Sequence, residues 1–208
     1  MTLVVDELSV RRGGRTILAD VSLAVDAGEI VGVVGKNGCG KSTLLLAVAG
    51  IVAPRAGRVT IAGHSVWGAQ AERAAARRAL GYVPENADPP GFLLGTELWG
   101  LVAAARGTAP PSAELRAALG LDELAEAPID RMSLGQRRRA CLGAAFLGPP
   151  ALLVLDEPDN GLDAARLDAL LALVRAHATA GGTCLVSTHD AALLDRMGAR
   201  VLPLARGG

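Results

Sequence analysis

The chain has 208 residues, enough to bury a sizeable core in one or two domains. Half of the residues are hydrophobic but only 2% are aromatic, so Ala, Leu and Val must build that core. A formal net charge of zero argues against nucleic-acid binding driven by bulk charge, and no apolar run reaches the roughly 18 residues of a membrane-spanning helix. Asp6 and Glu7 break any signal-peptide pattern, so the expectation is a chain outside the bilayer whose membrane role, if any, comes through a partner. Cys39, Cys141 and Cys184 form no C-x-x-C pair, which points to a reducing compartment without a disulfide framework.

Short strands are expected at Leu3–Val5 and Ile17–Val25, separated by a turn at Gly13–Gly14. A further turn at Asp26–Gly28 leads into Ile30–Val34, which reads as a buried strand. It is followed by Gly35-Lys36-Asn37-Gly38-Cys39-Gly40-Lys41-Ser42-Thr43, which fits G-x-x-x-x-G-K-[ST], and then by an apolar helix start. Glycines let successive backbone N–H groups turn toward one anion, and the helix N-terminus adds its partial positive charge. A glycine-rich turn with no ligand is the plainer alternative, and the strand and helix on either side argue against it. Lys36 and Lys41 are the only lysines in a chain that otherwise uses arginine. A compact three-donor ammonium inside this loop is something a planar guanidinium does not imitate. Cys39, near Lys41 and the helix start, is expected to be a reactive thiol.

Further along, Arg58–Ile61 reads as a strand, Ala69–Leu80 as a helix and Gly81–Pro84 as a short strand. The character changes from Asn86 to about Ala127, within a helical insertion expected to end around Leu147. Prolines divide this stretch, and helices are expected at Leu93–Arg106 and Ser112–Leu119, the second with Ser112 as N-cap. Phe92, Leu93, Leu94 and Trp99 gather two of the chain's five aromatics, either as core or as a docking surface for a partner helix. Ala151–Leu155 is a continuous apolar strand of the kind covered on both faces. A helix at Leu162–Ala178, a strand at Cys184–Ser187, a helix at Ala191–Met197 and a strand at Arg200–Leu204 complete an alternating α/β pattern.

Asp156 and Glu157 end the apolar strand, where open parallel sheets bind ligands. Asp156 can hold Mg²⁺ through water and Glu157 can polarise an attacking water, although two acids at a strand end can also be a solvated turn. His189 closes the next strand end in the same way; alone it would be a plain helix-start residue. His64 and His177 have no such context. Ser133, with Gln136 three residues later, is either a capping box or a second anion-binding helix start. The basic triplet Arg137–Arg139 that follows is expected to be a solvated helix face.

Together these motifs resemble the nucleotide-binding subunit of ABC transporters over essentially the whole chain. Gly35–Thr43 corresponds to the Walker A loop, Met132–Gln136 to the signature motif, Leu152–Glu157 to Walker B, Asn160–Asp163 to the D-loop and His189 to the switch histidine. The resemblance implies a single domain over 1–208, with a P-loop NTPase core of mainly parallel sheet and an N-terminal antiparallel β subdomain at 1–85 and 148–208. A helical subdomain carrying the signature is implied at 86–147. It implies ATP and Mg²⁺ as ligands, with Gly35 to Thr43 around the phosphates, Arg12 and Glu85 beside them, Ser42, Glu85 and Asp156 at the metal, and Glu157 and His189 as catalytic residues. It also implies a head-to-tail dimer, with itself or a homologous ATPase subunit. In that dimer Ser133, Leu134, Gly135, Gln136 and Asp163 reach the nucleotide held by the other subunit. A multi-span permease would carry the pair at the cytoplasmic face of the cell membrane.

Three departures stand out: Leu134 where glycine is usual, Glu85 where glutamine is usual, and Arg12 where an adenine-stacking aromatic is expected. Glu85 resembles ATPases of ABC-2-type exporters, and the short length resembles the haem-exporter ATPase of cytochrome c maturation, so export is the expected direction. A soluble ABC protein of ribosomes or DNA would bring a second ATPase half, a long coiled coil or a basic face. An ATP-binding regulatory subunit would not need Lys41, Glu157 and His189 together, and a GTPase would carry an N-K-x-D motif that is missing here.

Overall fold

A computed structural model describes residues 1–204; residues 205–208, and with them the end of the expected single domain, lie outside the described residues. The strands β1 (Leu3–Arg12) and β2 (Arg15–Val25) form an antiparallel pair closed by Gly13–Gly14. β1 runs well past Val5. Its apolar alternation resumes at Leu8 and Val10 after an irregularity in pairing at Asp6–Glu7, where Glu7 takes a left-handed backbone (φ 45°). With β4 (Ala56–Ile61) and β5 (His64–Ser65), a short strand with no signal in the sequence, they form a four-stranded antiparallel sheet in the order β2-β1-β4-β5.

The second sheet contains β3 (Ile30–Val34), β6 (Leu80–Val83), β7 (Leu152–Asp156), β8 (Thr183–Ser187) and β9 (Arg200–Pro203) in the order β6-β7-β8-β3-β9, and every pairing in it is parallel. Side chains alternate across this sheet as strand geometry dictates. Val31, Val33, Leu152, Val154 and Leu185 join the core shared with helix α1 (Lys41–Val48) and the antiparallel sheet. Leu153, Leu155, Cys184 and Val186 join the opposite core. That core is made with α3 (Gly95–Arg106), α4 (Ala113–Leu119), α5 (Leu134–Ala145), α6 (Ala164–Thr179) and α7 (Ala191–Met197). Coverage on both faces explains why these strands read as unbroken apolar runs. Helix α2 (Gln70–Arg78) packs through Ala76 on the first core.

The helices between β6 and β7 share a continuous core with the sheet, running from Leu119, Leu121, Leu124 and Ile129 to Leu153 and Leu155. Trp99 is buried between α3 and α5, and its indole N–H donates to the Ala140 carbonyl at 2.9 Å. Ser112 caps α4 as expected, accepting from the Leu115 N–H. The reading of Arg137–Arg139 as a solvated face is wrong for two of the three. Arg138 is 2% exposed and Arg139 9%. Arg139 donates to the Leu119 and Gly120 carbonyls at the C-terminal end of α4 and pairs with Glu123 at 2.5 Å. These guanidinia are buried because free carbonyls at helix and strand ends need donors. Among the described residues no helix is long and apolar enough to cross a membrane.

Candidate functional site

Parallel strands in register end at one edge of the sheet, which brings four sequence motifs together. Val83 pairs with Leu155, Asp156 with Ser187, and Ser187 with Val33. The loops leaving β3, β6, β7 and β8 therefore open side by side. They line, with the turn after β1, a cleft of about 670 Å³ formed by Arg12, Gly13, Ile17, Asn37, Gly38, Gly40, Lys41, Ser42, Thr43, Glu85, Glu157 and His189.

The phosphate-type loop is shaped by its glycines. Gly40 precedes α1 at φ 110°, and a Cβ there would lie 2.7 Å from Leu18. As the N-cap it offers no side-chain acceptor, so the first N–H groups of α1 remain available to an anion. Lys41 is buried to 7% exposure, and its ammonium donates to the Gly35 carbonyl at 3.0 Å, held over the loop. Ser42 Oγ donates to Asp156 Oδ1 at 3.4 Å, and Ser187 Oγ donates to the same oxygen. Ser187 Oγ also accepts from the Glu157 N–H at 3.2 Å. Gly35, Lys36 and Cys39 lie on the other side of the loop, around a separate hollow shared with Val34 and Pro203. Cys39 is only 4% exposed, which removes the access that the expected thiol reactivity requires.

Glu157 is the strained member of the site. It is 6% exposed and held at φ 46°, a left-handed conformation uncommon for a glutamate. Its Oε1 lies 2.9 Å from His189 Nε2, and the His189 side chain is 58% exposed. Burial pushes the Glu157 carboxyl above its ordinary value, against the opposing pull of the His189 and Lys41 charges. Behind it, burial and the Asp156 charge push the Tyr82 hydroxyl up to about 12. The hydroxyl of Ser42, the carboxylate of Asp156 beside it and the carboxylate of Glu85 on the same cleft are hard oxygen donors. A set this sparse suits Mg²⁺, which keeps several waters and phosphate oxygens among its ligands.

Ser133, Leu134, Gly135, Gln136 and Asp163 do not line this cleft. Ser133 to Gln136 form the start of α5, and Asp163 the start of α6. The Ser133 N–H donates to Gln136 Oε1 at 2.8 Å, and the Gln136 N–H donates to Ser133 Oγ at 3.2 Å. This is the capping box read from the sequence. It leaves the Leu134 and Gly135 N–H groups without intrahelical partners beside a Leu134 side chain that is 58% exposed. Gly135 packs so closely on the Gly161 carbonyl that any Cβ would overlap it, which ties this helix start to the Asn160–Asp163 loop. Asp163 Oδ1 accepts from the Arg166 N–H at 2.8 Å and caps α6. Three residues with a part in the cleft were not singled out in the sequence. Ile17 lines it, Ser187 orients Asp156, and Arg138 sits beneath it. Only Ser187 had a signal, its place in the Ser187–Asp190 run.

A phosphate-type loop, an acid pair and a histidine on adjacent parallel strand ends, flanked by an antiparallel sheet and an inserted helical segment, define a P-loop nucleoside triphosphatase cassette. Residues 18–160 match the family model described as ABC transporter. The cytochrome c biogenesis ATP-binding export protein CcmA of Gluconobacter oxydans is 37% identical over 97% of this chain and 87% of its own length. The cobalt import ATP-binding protein CbiO of Rhodobacter capsulatus is 38% identical over 89% of this chain and 70% of its own. A solved ATP-binding subunit of an ABC transporter superposes with a TM-score of 0.89 at 30% identity, over 99% of this chain and 86% of that one. The chain belongs to the ABC transporter family, as an ATPase subunit that uses ATP with Mg²⁺.

Proposed function

We propose that this chain powers export through a separate multi-span membrane subunit, with the cleft above as the place of ATP hydrolysis. The observation that carries the reading is the convergence of Lys41, Ser42, Glu85, Glu157 and His189 on one cleft from four different strand ends. The loop from Gly35 to Thr43 surrounds the phosphates with backbone N–H groups, and Lys41 turns from the Gly35 carbonyl toward the β- and γ-phosphates. Ser42, Glu85 and, through water, Asp156 would hold Mg²⁺, which would supply charge neutralisation at the phosphates. Glu157 accepts the proton of the attacking water, and His189 holds the Glu157 carboxylate and contacts the γ-phosphate side. Arg12 lines the same cleft, where its guanidinium would stack on the adenine in place of an aromatic ring.

The start of α5 works in trans. Its unpartnered N–H groups, its exposed Leu134 and the neighbouring Asp163 are separated from the chain's own cleft, so a head-to-tail partner, a second copy or a homologous subunit, is what they clamp. The segment 86–147 is the helical unit that carries this clamp. Phe92, 80% exposed at its start, is the contact for a cytoplasmic helix of the permease, which holds the chain at the inner face of the membrane. Export is supported by the Glu85 variant and by the export protein among the relatives, and import relatives of similar identity make direction the point to test.

With the permease in sealed vesicles, an exporter's ATPase is stimulated by cargo supplied on the side of this subunit. Stimulation from the opposite face alone would overturn export. Loss of Mg²⁺-dependent hydrolysis in Lys41→Ala tests the site itself.

A further inference from the structure

Arg138 lies in the second turn of α5, the helix whose first turn holds Ser133 and Gln136. It is 2% exposed. Nη1 donates to the Pro84 carbonyl at 2.8 Å and to the Asp156 carbonyl at 3.3 Å, and Nη2 donates to the Glu85 carbonyl at 2.6 Å. One planar fork therefore joins three elements: the clamp helix, the chain leaving β6 at the residue that faces the cleft, and the end of β7 that carries Asp156 and Glu157. None of the three acceptors is within its own helix, so the contacts have no part in making α5 helical. Burial opposes the guanidinium charge, while Asp156, Asp159 and Glu85 favour it. A group that costs this much to bury and bonds only to backbone fixes positions.

We propose that Arg138 is a positioning residue that couples the two nucleotide sites of the dimer: it sets the Glu85 and Asp156 backbone at the chain's own metal edge according to the position of the helix that clamps the partner's nucleotide. The inference rests on the dimeric reading given above. Arg138 touches neither nucleotide nor metal; it acts through Glu85 and Asp156. A rotation of α5 moves the fork, and the fork moves the three carbonyls it holds. Lysine cannot reproduce this, since a single ammonium on a flexible stem cannot hold three carbonyls in one plane.

The test compares wild type with Arg138→Lys and Arg138→Gln. For each, melting temperature, affinity for a fluorescent ATP analogue without Mg²⁺, and ATPase rate against both ATP and Mg²⁺ are measured. Arg138→Lys is expected to bind the analogue within about twofold of wild type. It should lose at least about tenfold in kcat, a factor within the usual range of site-to-site coupling. It should also lose the cooperativity of the ATP curve and need more Mg²⁺ for half-maximal rate. A variant that melts lower yet keeps kcat, cooperativity and Mg²⁺ requirement per folded molecule would overturn the proposal and leave Arg138 as a structural brace.

Should both variants fail to fold, hydrogen exchange on the wild type decides. With a non-hydrolysable ATP analogue at concentrations below dimerisation, adding Mg²⁺ must slow exchange at residues 85–88 and 136–142 together. Protection confined to residues 35–45 would overturn the coupling. The dimeric reading fails separately, by a wild-type ATPase whose specific rate is independent of protein concentration and which shows no ATP-driven dimer in Glu157→Gln.

Discussion

Replacing Glu157 by glutamine exchanges one carboxylate oxygen at the sheet edge for an amide NH2, removing the charge with almost no change in volume. The carboxylate is 6% exposed, and its Oε1 lies 2.9 Å from His189 Nε2, a contact the amide oxygen of glutamine can also accept. Burial raises the Glu157 pKa above its ordinary value. For an acid shifted upward, the ionised form is the one the fold disfavours. Its stability cost is present above the folded pKa and disappears as pH falls through it. A neutral glutamine never carries that cost. At neutral pH Glu157→Gln is therefore expected to melt at or above the wild-type temperature.

Hydrolysis should move the other way. Losing the proton acceptor removes at least about a hundredfold in kcat, or about 2.7 kcal/mol of barrier. Opposite signs in stability and rate exclude unfolding as the cause. The assay is phosphate release at saturating Mg-ATP, read beside a thermal melt and gel filtration with ATP, which should show a trapped dimer. In wild type the acid limb of kcat/KM, which reports the free enzyme, should lie above the value of about 4.3 for an ordinary glutamate, because the carboxylate must be ionised to act and burial raises its pKa. Turnover of Glu157→Gln within fivefold of wild type, or an acid limb at the ordinary value, would refute the assignment of Glu157 as base.

Ser133→Ala removes the acceptor of the Gln136 N–H; it should cost about 1 kcal/mol and lower the melting temperature by about 2–4 °C. A fall in ATPase beyond that loss of folded protein, measured at a temperature where both are folded, reports the clamp; unchanged ATPase means that Ser133 only caps α5. Phe92→Asp, at an 80% exposed position, should leave stability within about 0.5 kcal/mol and abolish copurification with the permease; unaltered copurification would place the docking surface elsewhere. Glu85→Gln should stay within about tenfold in rate, since a neutral oxygen ligand remains, but should need more Mg²⁺ for half-maximal activity. Superimposable Mg²⁺ curves for the two proteins would mean that Glu85 is not at the metal.

The parts of this molecule legible in its sequence are those governed by short-range rules. Strand–glycine loop–helix at Ile30 to Val48 is a local pattern, and so are the Ser112 and Ser133 caps and the apolar run before Asp156. Because parallel strands must end at one edge in register, naming the strands was enough to bring Lys41, Asp156, Glu157 and His189 together. What escaped depends on pairings that no local window contains. β5 is a short strand that exists only because β4 offers it an edge. Cys39 reads as a reactive thiol from its neighbours in sequence, but it is buried as a member of the core that also holds Leu18, Leu44 and Leu204.

Arg137–Arg139 shows the limit most clearly. Three arginines in a row on a helix look like solvent, but helical geometry spreads three successive residues over about 200°, so they do not share one environment. Arg137 reaches Asp88 at the surface, Arg139 closes the end of α4, and Arg138 points under the cleft. A run of one residue type says nothing about which of its members is buried. The free carbonyls at the ends of β6, β7 and α4 decide that, because an arginine that donates to several buried carbonyls at once offsets the cost of its own desolvation.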